Sequence, residues 1–366
     1  MLSPRMSDPS GLSGLLDVDR GVRGSEARSA FPQSVGALVD RLGSLYGSHH
    51  GLERVPRVVE PWGAVPLEAS VSLRRGPQTE VRLTLGFPPR PGDPQARAAL
   101  VAALSGLGAE RISATVDESL ASVAPTAGRR LVRGLALRAR RDEPARPRPA
   151  AWVGGGSASE RSARIGHAML GLGLDHAAAL HERIAAGLAA NPFCAVVAYG
   201  LGFDLGQDRV LGAKTYFVCE WADAAIGLLG GPLADVLRID SARSFELLAA
   251  SARPDVLRSR WPLEVSFELP ADLSRGVRTK VYLPPPSVDS SEAEAHAGVV
   301  RLADQLGLDP LPYEELVATL RPDGLSPERP SSLMVGLSAS ARGPSLEVYL
   351  FDPARWAVPA DQPARV

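Results

Sequence analysis

The segment Pro262–Pro285, PLEVSFELPADLSRGVRTKVYLPP, has the pattern of two alternating strands joined by a turn. In its second strand Arg278, Lys280 and Tyr282 share one face, whereas Val281 lies on the other. One face is therefore polar and cationic and the other is apolar. This alternation predicts a strand with one face packed against other elements of the fold.

The same strand–turn–strand pattern recurs along the chain, and amphipathic helical sequence separates its copies. Hairpins are predicted near 66–87, 130–156, 193–221, 262–286 and 331–352. Equivalent positions in the second strands lie 64 to 68 residues apart and are occupied by Arg82, Ala150, Lys214, Lys280 and Glu347. Units of nearly constant length indicate one repetitive domain. We place it at 31–366, after a Ser-, Gly-, Pro- and Arg-rich segment, 1–30, that we expect to be poorly ordered.

Five hairpins supply ten antiparallel strands, and closing such a sheet removes its edges. Roughly eight strands already form a barrel that can hold one small ligand. The helices between the hairpins must cover the apolar strand faces, so the polar faces point inward. The sequence thus predicts an α+β protein: a closed ten-stranded antiparallel β-barrel with a polar lumen, surrounded by helices in five repeats of the ααββ type.

Composition excludes several classes of function. A formal net charge of −1 over 366 residues provides no general attraction for nucleic acid or an anionic membrane. The two cysteines, Cys194 and Cys219, have no metal-ligand spacing. We find neither an apolar run long enough to span a bilayer nor the apolar core of a signal peptide, so we expect a cytoplasmic protein.

Candidate binding residues lie on the polar strand faces. Cationic side chains that converge on one space are costly unless they meet an anion, and a diphosphate with tyrosine hydroxyls as further donors fits such a set. The candidates are Arg82, Lys214, Tyr216, Arg278, Lys280, Tyr282 and Tyr349. Each alone is compatible with an ordinary solvated strand residue. Their matched positions in several units favour a shared lumen.

A carboxylate and several aromatic rings complete the predicted lumen. Glu68 lies on the polar face of the first hairpin, where partial burial would raise its pKa and fit it to accept a ring N–H. Glu264 repeats its P-L-E context, so Glu68 is not unique, and a surface role stays open. Trp152 and Tyr199 are assigned, with the tyrosines, to an aromatic shield that screens a carbocation.

The sequence contains no Asp-Asp-x-x-Asp run, no phosphate-loop motif and no G-x-S-x-G elbow. Its hairpin repeats, with the R-x-K-x-Y motif ending at Tyr282 and the K-x-Y motif ending at Tyr216, resemble the barrel-fold (ABBA) aromatic prenyltransferases of the dimethylallyltryptophan synthase type, including those of bacteria. The resemblance covers about 66–351. It implies transfer of a dimethylallyl group from dimethylallyl diphosphate to an aromatic ring, commonly an indole.

The resemblance also implies roles for particular residues. Arg82, Lys214, Tyr216, Lys280, Tyr282 and Tyr349 match diphosphate-site positions, and Glu68 matches the carboxylate that hydrogen-bonds the indole N–H. Ala150 and Trp152 replace a K-x-Y pair of the family, and Gly212 replaces an arginine, for which Arg278 compensates. No cofactor is expected, and Mg²⁺ would be at most stimulatory because side chains supply the positive charge.

Two other hypotheses remain open from the sequence. The same diphosphate site would serve a non-indole acceptor, a longer prenyl donor or a prenyl cyclisation. Alternatively, the losses at Ala150 and Gly212 would leave a non-catalytic binding barrel. The expected partners are a prenyl diphosphate and a small aromatic acceptor, with no nucleic acid and no membrane.

Overall fold

The fold is described from a computed structural model. It describes residues 31–46, 52–75, 80–87, 95–111, 113–123, 133–140, 143–153, 156–189, 194–204, 209–219, 263–272, 276–283, 291–327, 333–340 and 343–351. The prediction that 1–30 is poorly ordered falls outside these residues.

Ten strands form five hairpins at the predicted places. They are β1 (Val65–Arg74), β2 (Glu80–Phe87), β3 (Arg133–Arg140), β4 (Glu143–Trp152), β5 (Cys194–Asp204), β6 (Arg209–Cys219), β7 (Leu263–Pro270), β8 (Arg278–Leu283), β9 (Leu333–Ser340) and β10 (Gly343–Phe351). Each pairs antiparallel with its neighbours in the chain, and β10 returns to pair with β1. The sheet is therefore closed, which confirms the predicted ten-stranded barrel.

Eight α-helices lie in the described ranges. They are α1 (Val35–Tyr46), α2 (Val55–Val59), α3 (Gln95–Gly106), α4 (Ser113–Ser122), α5 (Ala158–Gly171), α6 (Asp175–Ala189), α7 (Glu292–Gln305) and α8 (Leu311–Leu320). Helices α5 and α7 begin with capping boxes, in which Ser157 pairs with Glu160 and Ser291 with Glu294. Each box satisfies backbone N–H groups that the first helical turn leaves without partners.

The hydrophobic core lies between the barrel and the helices. On β1, Ala69, Val71 and Leu73 face outward and are buried, whereas Ser70 and Ser72 face the lumen. The same alternation sends apolar residues of all ten strands toward the helices. The predicted arrangement, apolar outside the barrel and polar inside it, is thus the observed one.

Strand β4 is an irregular part of the barrel. It pairs with β3 along most of its length, but its register with β5 includes only three residue pairs, from Ala150 to Trp152. Pro147 and Pro149 precede these pairs and have no N–H to donate to a ladder. Strands β4 and β5 therefore pair only away from the β3–β4 turn, and a cavity opens beside the part of β4 that is not paired with β5.

A buried ion pair joins the two helices before the last hairpin. Arg321, directly after α8, contacts Glu292 at the start of α7 over 3.2 Å, and both side chains are about 5% exposed. Removing one partner from a buried pair leaves the other charge without compensation.

We therefore expect Glu292→Gln to lower the free energy of unfolding by about 3 kcal/mol, the usual scale for breaking a buried pair. Urea denaturation of the two proteins would measure this difference. Glu315→Gln, which changes an exposed carboxylate on α8, is the matched control and should shift stability by less than about 0.5 kcal/mol. Equal losses in the two variants would contradict a special role for the buried pair.

Candidate active site

The lumen has two distinct ends. At the hairpin end, turns join the strands of each hairpin; at the helix end, the strands connect to the helices. Cationic side chains from β2, β3, β4, β6 and β8 are concentrated toward the hairpin end, whereas Glu68 and Glu264 lie toward the helix end. This division organises the rest of the site.

An ion-pair cluster occupies the middle of the lumen. Arg82 contacts the Glu347 carboxylate over 2.8 Å, and the Lys280 ammonium forms an ion pair with the same carboxylate. Both cations also donate to the hydroxyl of Tyr349, over 3.4 Å from Arg82 and 3.2 Å from Lys280. The structure therefore brings together three of the predicted residues and adds Glu347 as their shared counter-ion.

Lys214 lies beside this cluster and is 1% exposed. Its ammonium donates to the Tyr282 hydroxyl over 2.9 Å and lies 4.6 Å from the centre of the Tyr216 ring. Burial, together with the positive charge of Arg148, holds the pKa of Lys214 well below its usual value. A bound anion would offset both effects.

The three predicted tyrosines form a continuous aromatic wall. Ring centroids are 6.2 Å apart between Tyr216 and Tyr282 and 5.8 Å apart between Tyr282 and Tyr349. Burial raises the pKa of Tyr216 to about 12, and it also raises the pKa values of Tyr282 and Tyr349 well above their usual value. All three hydroxyls therefore stay protonated near neutral pH and can donate hydrogen bonds.

A cavity of about 140 Å³ lies at the hairpin end. Five arginines line it: Arg82, Arg138, Arg146, Arg148 and Arg278. Glu268 lines it as well and contacts Arg148 over 2.8 Å. Arg278 is exposed at this mouth, so of the predicted cations it is the one most accessible to solvent. Arg138 forms an ion pair with Glu80, which also lies 3.4 Å from Arg74.

Glu68 is buried in the lumen, and the Thr84 hydroxyl donates to its carboxylate over 2.9 Å. Burial raises its pKa despite the opposing charge of Arg82. The second P-L-E glutamate, Glu264, pairs in the sheet with Tyr282. Burial raises the pKa of Glu264 to about 7, and the nearby Glu68 adds to the shift.

Tyr199 and Trp152, the other two predicted members of the aromatic shield, are not found in the lumen among the described side chains. Tyr199 is buried outside the barrel, where its hydroxyl lies 3.4 Å from that of Ser119 on α4. A β-bulge between Val196 and Ala198 adds one residue to β5, so the alternation reverses and Tyr199 faces the helices. Its placement in the lumen was wrong. The backbone of Trp152 pairs with Ala198, but its side chain lies outside the described part of the structure.

Neither a metal site nor a membrane helix is found in the described residues. No three His, Cys, Asp or Glu side chains there are grouped so as to hold a metal ion. No helix among them is long and apolar enough to cross a membrane.

The sequence matches no protein-family model and no curated protein, but solved structures match the fold. A 6-dimethylallyltryptophan synthase from Micromonospora olivasterospora, in complex with DMASPP and Trp, has a TM-score of 0.59 at 17% identity, covering 87% of this chain and 98% of that one. The 5-dimethylallyltryptophan synthase from Streptomyces coelicolor has a TM-score of 0.58 at 17% identity, covering 89% of this chain and 99% of that one. AnaPT from Neosartorya fischeri has a TM-score of 0.61 at 14% identity, covering 94% of this chain and 98% of that one.

This chain has the dimethylallyltryptophan synthase fold. The fold implied by the resemblance is thereby confirmed. The roles of the individual lumenal residues stay predictions.

The second repeat of this dimethylallyltryptophan synthase fold does contain cations, contrary to the expectation drawn from Ala150. Arg148 lies two residues before Ala150 on the same strand face, and Arg146 two residues before that. Arg138 faces the lumen from the neighbouring strand. The positive charge of this repeat is therefore shifted toward the hairpin end rather than lost. Alignment of the repeats does not reveal the two β4 cations, because they lie two and four residues before the position that is equivalent to Lys214 and Lys280.

The glycine in the third repeat has a steric reason. A Cβ on Gly212 would lie 2.3 Å from the Leu269 carbonyl oxygen, well inside van der Waals contact. An arginine therefore cannot occupy this position without moving the β6–β7 backbone. Gly212 lines the arginine cavity, so the missing side chain leaves space beside Arg148 and Arg278.

The raised pKa of Glu264 predicts a pH-dependent stability. The unfolded chain ionises this carboxyl near 4.5 and the folded protein near 7, so the native state loses stability as pH rises between these values. We expect Glu264→Gln to remove this loss. Between pH 5 and pH 8 the free energy of unfolding of the parent should therefore fall by roughly 2 kcal/mol more than that of the variant, after allowance for solvent screening. Urea denaturation at both pH values measures it. A variant with the same pH dependence as the parent would contradict the assigned pKa.

Proposed function

We propose that the protein is an aromatic prenyltransferase that transfers a dimethylallyl group from dimethylallyl diphosphate to an aromatic acceptor of the indole type. The observation that carries this proposal is the order of groups along one closed lumen. Cations lie toward the hairpin end, three tyrosine rings line the middle, and two carboxylates lie toward the helix end. The matching solved structures include one in complex with DMASPP and Trp.

The donor's diphosphate is assigned to the cationic region. Arg82, Lys214 and Lys280 reach it from three strands, and Arg148 and Arg278 extend it toward the solvent. Positive groups held in a low-dielectric cavity stabilise the charge that grows on the leaving diphosphate, which is the dominant kind of contribution in such sites. The scheme needs no metal ion because side chains supply this charge.

The tyrosine wall is assigned to the allylic cation. When the carbon–oxygen bond of the donor breaks, positive charge develops on the dimethylallyl group. The faces of Tyr216, Tyr282 and Tyr349 can stabilise that charge and keep water from capturing it. The hydroxyls of Tyr282 and Tyr349 accept from Lys214 and Lys280, so they lie at the cationic region and can also donate to the diphosphate.

The acceptor is assigned to the helix end, where Glu68 can accept a hydrogen bond from the ring N–H. This interaction orients the ring and raises its electron density. The ring carbon that faces the dimethylallyl cation then forms the new carbon–carbon bond. An aromatic ring is the appropriate acceptor because it can attack a cation and regain its aromaticity by losing a proton.

A non-catalytic binding barrel is the second candidate, and one observation favours it. Glu347 already occupies the space between Arg82 and Lys280, so it neutralises part of the charge that a diphosphate would meet. In an enzyme, the donor has to displace this carboxylate from its partners. In a binding protein, ligand would be held without turnover.

Incubation with dimethylallyl diphosphate and L-tryptophan, followed by mass spectrometry, tests the proposal. We expect the acceptor to gain one dimethylallyl group and inorganic diphosphate to be released. If diphosphate binds in calorimetry but no indole acceptor gains mass, the binding-barrel alternative is supported and the proposed transfer is wrong.

Lys280→Ala tests the donor site. We expect turnover to fall at least about 100-fold and the Kd for inorganic diphosphate to rise at least about tenfold, because a buried charge contact is lost. Arg301→Ala removes an exposed cation from α7 and is the matched control. If Lys280→Ala and the control have equal turnover and equal affinity for diphosphate, the assignment of the donor to the cationic region is wrong.

A further inference from the structure

Among the side chains that the structure describes, five carboxylates face the lumen, and they fall into two groups. Glu80, Glu268 and Glu347 each contact an arginine or a lysine within ion-pair distance. Glu68 and Glu264 do not: Glu68 accepts a hydrogen bond from Thr84, and in the described residues Glu264 has neither a hydrogen bond nor an ion pair. A charged group in a partly buried lumen is costly without a partner. The second group therefore calls for an explanation.

The two carboxylates without cation partners lie on opposite walls of the barrel. Glu68 is on β1 and Glu264 on β7, and β8, β9 and β10 lie between these strands on the shorter way round. Both residues come early in their strands and lie toward the helix end. A flat ring placed at this end of the lumen would have one carboxylate on each side.

The neighbours of Glu264 suit a group that changes its protonation state. Lys214 and Tyr216 approach from β6, Tyr282 from β8 and Glu68 from across the lumen. Ser266 and Glu268 follow on its own strand face, and Ser266 donates to Tyr282. None of these neighbours locks the carboxylate in its charged form by direct contact. Its pKa of about 7 lets it exchange a proton near neutral pH.

We propose that Glu264 is the general base that removes the proton from the prenylated ring. This inference rests on the proposed function. The donor's carbon–oxygen bond breaks with its electron pair leaving on the diphosphate, and a π pair of the ring forms the new carbon–carbon bond. The carbon–hydrogen bond at that ring position then breaks. Its electrons restore the aromatic ring, and the proton passes to a carboxylate oxygen of Glu264.

Glu264 fits this role better than the other groups in the lumen. Glu68 is held by Thr84 and is assigned to the ring N–H on the opposite side. Lys214 and Lys280 donate to tyrosine hydroxyls on the donor side, so their ammonium groups are directed at the diphosphate rather than at the ring. Glu80, Glu268 and Glu347 are occupied by cations.

The decisive measurement is single-turnover kinetics of Glu264→Gln with L-tryptophan and with its ring-deuterated form. In the parent protein, proton loss is expected to be fast, so the two acceptors react at nearly equal rates. In the variant we expect the rate to fall by about 100-fold or more, the usual contribution of a general base, and a primary isotope effect above about 2 to appear. The Kd for inorganic diphosphate should stay unchanged.

Matched variants separate this role from others. Glu68→Gln should weaken acceptor binding without producing an isotope effect. Glu264→Asp, which keeps a carboxylate, should recover part of the rate. As pH drops below about 7 the base becomes protonated and proton loss slows, so the parent should first show the isotope effect and then lose rate, whereas Glu264→Gln should lack this pH dependence.

Three outcomes would overturn the inference or its foundation. An unchanged rate with no isotope effect in Glu264→Gln shows that another group takes the proton while the transferase assignment stands. Loss of affinity for tryptophan, but not for an indole without the amino group, shows that Glu264 binds the acceptor's ammonium instead. If the parent protein prenylates no indole, the proposed function is wrong and the inference falls with it.

Discussion

Closure of the sheet is the constraint on which the rest of this structure depends. Once ten alternating strands form a barrel inside a ring of helices, each side chain must face either the helices or the lumen. The outward set forms the hydrophobic core, and the inward set must satisfy its polar groups within a narrow space. Buried ion pairs add little net stability compared with apolar packing of the same volume. The charges in the lumen are therefore best understood as a ligand site that the core of the barrel supports.

The alternation made much of the fold predictable. The five hairpins, their near-constant spacing and the inward faces of Arg82, Lys280 and Tyr282 all follow from a period of two within a repeated unit. The period failed where the backbone departs from it. The bulge at Val196 and Ala198 sends Tyr199 outward, and no local pattern marks that extra residue. Contacts such as Arg82 with Glu347 join residues far apart in sequence, so only the closed barrel reveals them.

The second repeat illustrates a different limit of sequence comparison. Ala150 stands where other repeats have a cation. Arg148, two residues nearer the hairpin end on the same strand, faces the same lumen. A site built from long side chains depends on where the charged ends meet rather than on which backbone positions match. At Gly212 the backbone position matches that of a cation in the family, but the close Leu269 carbonyl excludes a side chain there. Cations on neighbouring strands then supply the charge.

In the proposed function, Glu347 connects the stability of the barrel with the binding of a donor. Without it, Arg82 and Lys280 would be buried near each other with no counter-charge, a costly arrangement in a dry lumen. With it, part of their positive charge is neutralised and the cluster keeps its geometry. A diphosphate must then exchange places with a carboxylate, so its affinity is a difference between two sets of ionic contacts rather than the sum of one.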